Sequence, residues 1–122
     1  VYCKVIADTL GEDPSDGIKP KGVIHWVSAS TAVPATIRIY DRMFSDPNPG
    51  RHDDILSVVN PQSLLLLEGA MLEPSLAHAA PEQVFQFERE GYFVADRYLH
   101  SPERPVFNMT IGLRDTWSDN HG

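Results

Sequence analysis

Residues 85–93 (FQFEREGYF) constrain the fold more than any other stretch of this chain. The first half alternates: Phe85 and Phe87 fall on one face of an extended ribbon, Gln86 and Glu88 on the other. Arg89 stands where that strand ends. Gly91 permits the positive φ that a tight turn asks for, and the chain then leaves as a second strand. The pattern predicts a β-hairpin with an aromatic inner face and an amide and a guanidinium near its tip. A glutamine and an arginine on a stiff ribbon suit the reading of one nucleotide base. They equally suit an ordinary solvated surface, and the residues alone leave both open.

Elsewhere the chain is cut into short β-prone runs by proline and glycine. Residues 1–7 and 22–28 (GVIHWVS) read as strands, separated by a turn-rich acidic loop at 11–17. Residues 35–44 follow as a third strand, with Ile37 and Ile39 on one face and Thr36, Arg38 and Tyr40 on the other. Two prolines and a glycine exclude regular structure from 45–50. A helical turn is expected over 53–58, capped by Asp53 or Asp54, and a second short one near 76–80. Strands are expected over 63–72 and 106–113, either side of the hairpin at 84–96, with a polar tail from Trp117. About six or seven short strands with little helix predict an all-β antiparallel barrel or sandwich in one domain spanning 1–122.

Composition removes several function classes. At 42% hydrophobic residues the chain is globular. Its longest apolar run, Leu64 to Leu67, is far short of the roughly 20 residues of a membrane helix. A single cysteine, Cys3, and the lack of a secretory pattern lead us to expect a cytoplasmic protein. Net charge is −7, which opposes non-specific binding to nucleic acid. RNA recognition would need a local basic site or basic surface supplied by a further part of the chain. The opening at Val1, directly into β-prone sequence, leads us to expect the end piece of something longer.

Catalytic chemistry finds little to work with. The histidines, His25, His52, His78, His100 and His121, are scattered without metal-ligand spacing. Cys3 and His25 fall in separate expected strands, where packing explains both better than nucleophilic catalysis. Neither a Walker-type loop nor a Gly-x-Gly-x-x-Gly loop occurs. Asp53-Asp54 reads as a cap or a solvated acidic patch. His25-Trp26 could stack a base, although a half-buried strand accounts for them more simply.

Six segments, in order, add a further reading: 21–29 (KGVIHWVSA), 37–44 (IRIYDRMF), 60–64 (NPQSL), 73–76 (EPSL), 85–93 (FQFEREGYF) and 106–117 (VFNMTIGLRDTW). Together they resemble the C-terminal, anticodon-binding region of glutaminyl-tRNA synthetase, a class I enzyme. The resemblance implies a fold of antiparallel β-barrels like that of a ribosomal RNA-binding protein, with the earlier strands outside this chain. It implies a full-length enzyme that joins glutamine to its tRNA using ATP and Mg²⁺. The His-x-Gly-His signature of that activity is absent here, so this part of the chain is expected to bind no cofactor and to be non-catalytic alone. Its implied partners are the anticodon loop of a glutamine-specific tRNA and the rest of the synthetase, with no membrane.

The family's contacts to the uridine in the middle of the anticodon carry over to Gln86 and Arg89. Lys21 and Arg114 are further RNA-contacting candidates, and Arg38 and Arg42 are backbone or structural ones. One departure is Met109, where family members often carry arginine. Two alternatives stay open: the barrel of a eukaryotic-type glutamyl-tRNA synthetase, and a stand-alone β-barrel that binds RNA or protein.

Overall fold

The structure is a computed structural model that describes residues 2–113. Its centre is a five-stranded sheet built from β1 (Val33–Tyr40), β2 (Leu64–Leu72), β3 (Val84–Phe87), β4 (Gly91–Ala95) and β5 (Val106–Gly112), in the order β2-β1-β5-β4-β3. Helical structure among the described residues is confined to 3-10 turns at Pro49–Arg51, Ile55–Val58 and Pro74–His78. The expected cap is present: the Asp54 carboxylate accepts the Leu56 N–H at 3.0 Å.

The all-β class is as expected, with three differences in the arrangement. First, β1 and β5 run parallel, while the other three pairings are antiparallel. Second, the sheet is open among the described residues, with β2 and β3 as edges. Third, residues 2–7 and 22–28 are not strands, although their composition favours β structure, so the described sheet has five strands rather than six or seven. A strand is stable only through a neighbour's ladder and packing, and no sheet partner lies beside these segments among the described residues. Val23, Ile24 and Trp26 are consequently left exposed.

Two irregularities shape the sheet. Between Ala35 and Ile37 the register against β2 shifts by one extra residue, where Gly69 takes φ 73°. A bulge of this kind increases local twist, and glycine accommodates the left-handed backbone. The second shift lies between Tyr92 and Phe93, where β5 supplies the extra residue.

The core lies on one face. Ile37, Phe93, Ala95 and Phe107 are buried there with Ala79, and Phe85, Phe87 and Met109 pack against them. Phe107 is completely buried. The Phe85 and Phe87 rings meet it edge-on at 6.0 and 5.4 Å, and Phe87 stacks on Phe93 at 4.3 Å. Met109 is therefore a core residue beneath the hairpin. Part of this face stays open as a groove of about 630 Å³, bordered by Ile39, Leu72, Phe85 and Phe87 and by His25–Trp26 of the non-strand segment.

The opposite face carries a polar clamp that the sequence reading missed. Asp96, just after β4, is buried. Its carboxylate accepts the Asn108 amide at 2.7 Å and the Tyr98 and Leu99 backbone N–H groups at 2.9 Å each, and pairs with the Arg38 guanidinium at 3.3 Å. Burial pushes this carboxyl up, but the bonds from Asn108, Leu99 and Tyr98, with the Arg38 charge, outweigh it and hold it below the ordinary carboxylate range. Arg38 is thus structural: it joins β1 to the end of β4 across β5.

A pH dependence follows. With the folded value depressed below the unfolded one of about 3.9, the Asp96 contribution is fully present above that pH. It is lost as pH falls through the folded value. Asp96→Asn is expected to lower stability at neutral pH and to remove this part of the acid-side loss. Urea midpoints measured from neutral to acid pH check it; an acid limb as steep in the variant as in the wild type would contradict the assignment.

Candidate nucleic-acid interface

The hairpin forms as the alternation predicts. β3 and β4 pair with Phe85 opposite Phe93, Gln86 opposite Tyr92 and Phe87 opposite Gly91. The inward-facing phenylalanines, Phe93 buried and Phe85 and Phe87 half-buried, fix the register, because a one-residue slip would turn the aromatic face to solvent. Gln86 and Tyr92 consequently share the outer face, and both are exposed.

The turn is Phe87-Glu88-Arg89-Glu90, closed by the Glu90 N–H donating to the Phe87 carbonyl at 2.9 Å. Its third residue, Arg89, has φ 68°. A positive φ at that position is the mark of a type II turn, which ordinarily takes glycine or asparagine. The left-handed region costs a non-glycine residue about 1–2 kcal/mol. Stability therefore does not explain an arginine here, and strain of this kind clusters at functional positions. Sequence reading assigned the positive φ to Gly91 alone. Gly91 does take one, at φ 152°, but the arginine takes the sharper turn.

The side chains of Gln86 and Arg89 are exposed, and among the described residues neither makes a hydrogen bond or ion pair. Arg89 is flanked by Glu88 and Glu90, yet bonds to neither. Two sets of uncommitted donors are thus presented at one end of a ribbon whose other face is locked into the core. Glu88 and Glu90 make the tip poorly suited to gripping phosphate. The same polar groups remain suited to a neutral base edge.

The other candidates fare differently. Lys21 is exposed in the segment outside the sheet, and among the described residues no hydrogen bond or ion pair joins it to the hairpin. Arg114 lies outside the described residues. Arg42 follows β1 on the surface, with its Nε 3.9 Å from Asp41. Cys3 is free and exposed. The described residues contain no cluster of three side chains able to hold a metal ion, and no helix long and apolar enough to cross a membrane.

Comparison with known proteins agrees with this picture. Residues 23–96, more than half of the chain and including the whole hairpin, match the model of a family described as tRNA synthetases class I (E and Q), anti-codon binding domain. Among similar proteins, one from Tolumonas auensis is 60% identical over 117 residues, covering 96% of this chain and 21% of its own length. One from Yersinia enterocolitica is 58% identical over 118 residues, and one from Escherichia coli K12 is likewise 58% identical; each match covers 97% of this chain and 21% of the relative. All three bear the name glutamine–tRNA ligase. The chain thus spans about a fifth of the length of these relatives.

Proposed function

The chain belongs to the class I glutamyl- and glutaminyl-tRNA synthetase family, as its anticodon-binding domain, and from that premise we propose that the β3–β4 hairpin reads the middle base of a glutamine tRNA anticodon. The observation that carries this is the pair of uncommitted polar side chains, Gln86 and Arg89, at the end of a ribbon anchored by core aromatics. The names of the relatives favour glutamine over glutamate as the amino acid of the whole protein. Their greater length favours a domain of a synthetase over a stand-alone barrel.

The recognition is a matter of matching donors to acceptors. The pairing edge of uracil offers two carbonyl oxygens and one N–H. Arg89 donates to a carbonyl; Gln86 accepts the N–H and donates to an oxygen. Anticodon bases are unstacked, which exposes that edge. Cytosine would turn an amino group toward the arginine, leaving donors unpaired at a cost of about 1–3 kcal/mol each. Attachment of glutamine, with ATP and Mg²⁺, takes place elsewhere in the whole protein. A role in protein synthesis supports a cytoplasmic location for the whole protein.

The test uses the full-length synthetase. Arg89→Ala is expected to reduce discrimination between uridine and cytidine at the middle anticodon position by about tenfold to a hundredfold in kcat/KM. Arg89→Gly should lose discrimination equally while stabilising the domain by about 1 kcal/mol, because it relieves the left-handed backbone. Opposite signs on stability and recognition separate base reading from misfolding. Discrimination that survives both variants would sink the proposal.

A further inference from the structure

We propose that Tyr92 is the stacking platform for the base whose edge Gln86 and Arg89 read. This deepens the reading above and rests on it. Tyr92 lies directly across the β3–β4 ladder from Gln86, so the two side chains stand side by side on the outer face. Directly opposite residues in an antiparallel pair have their Cβ atoms about 4.5–5.5 Å apart. That separation lets a pyrimidine lie on the phenol ring with its pairing edge toward the amide.

Three observations set Tyr92 apart from an ordinary surface aromatic. Its face is open: the residue is 40% exposed, and among the described residues its hydroxyl has no hydrogen-bond partner. Its backbone is fixed on both sides, by Gln86 in β3 and Ile111 in β5, and Thr110 Oγ1 donates to the Tyr92 carbonyl at 3.0 Å. It also stands at the register shift between β4 and β5, the kind of irregularity that re-aims a side chain. An uncharged, flat surface is what the location calls for. Glu88 and Glu90 oppose phosphate there, whereas stacking needs no charge and tolerates a neutral heterocycle. Stacking supplies affinity for a base; the amide and guanidinium then supply the choice of base.

The experiment compares full-length wild type with Tyr92→Phe and Tyr92→Ile; isoleucine, being β-branched, keeps the strand propensity while removing the aromatic face. Affinity is measured for the cognate tRNA and for a tRNA with an abasic middle anticodon position. Tyr92→Ile is expected to weaken cognate binding about tenfold and to leave the abasic tRNA unchanged, with Tyr92→Phe within about twofold of wild type on both. A fluorescent pyrimidine at the middle position should be quenched on binding wild type and Tyr92→Phe, and not Tyr92→Ile. Equal weakening of both tRNAs, or quenching that survives in Tyr92→Ile, overturns the inference. Arg89→Gly in the same assay separates the two claims. If it loses base discrimination while Tyr92→Ile binds both tRNAs as wild type does, only the stacking role falls. If it too is unaffected, the base-reading assignment falls with it.

Discussion

Gly91→Ala is expected to destabilise the sheet by about 2–5 kcal/mol and to abolish base discrimination with it. A Cβ at this position would stand 2.6 Å from the Ile111 carbonyl oxygen, 2.9 Å from the Met109 methyl and 3.2 Å from the Gly112 Cα. The methyl is the end of a flexible side chain and can move. The carbonyl is part of the β4–β5 ladder and cannot yield without opening it. The backbone adds a second cost, since φ 152° is a conformation that side-chain-bearing residues rarely adopt. The damage would fall at the start of β4, two residues from Arg89. Amide hydrogen exchange across β4 and β5 measures the local opening free energy, and anticodon discrimination measures the consequence. An alanine variant with wild-type protection would show that β5 yields to the extra carbon.

Phe107→Ala should be comparably severe, at about 3–5 kcal/mol. Phe107 has no exposed surface, and the rings of Phe85, Phe87 and His100 all meet it within 6.0 Å. It stands opposite both Ile37 of β1 and Ala95 of β4, so it joins the two halves of the sheet. Little else is fully buried, and neighbours around so large a void cannot collapse to fill it. A loss of this size is a large part of the about 5–15 kcal/mol by which a domain is typically stable. The shift of the domain's urea midpoint measures it; a cost below about 1 kcal/mol would mean that the aromatic cluster is not the centre of the core.

The parts of this fold that were legible in the sequence are those whose information is local. Alternation about Phe85 and Phe87 gave the hairpin and its inner face. Ile37 and Ile39 marked the core side of β1, and Asp54 marked its 3-10 turn. What alternation does not carry is the choice of partner. The β-prone runs at 2–7 and 22–28 lie outside the described sheet, and the parallel pairing of β1 with β5 has no local signature. The Asp96 clamp was hidden for the same reason: Arg38 and Asp96 meet only because β5 comes between their strands. At the candidate interface, the outward face of Gln86 and the place of Arg89 at the strand end were legible. The strained backbone of Arg89 and the place of Tyr92 beside Gln86 needed the register.

The parallel contact also orders events in time. β1 and β2 can associate early, and so can β3 and β4, but these are two separate pieces until β5 enters between them. Thr36 and Val106, partners across that junction, are roughly 70 residues apart in the chain, a separation that slows folding through loop-closure entropy. At about 5–20 residues per second, a ribosome would hold β1 waiting for several seconds before its neighbour is made. The four consecutive leucines of β2, Leu64 to Leu67, are partly open to solvent even in the complete sheet. The hairpin, though local itself, is thus joined to β1 and β2 only when β5 arrives.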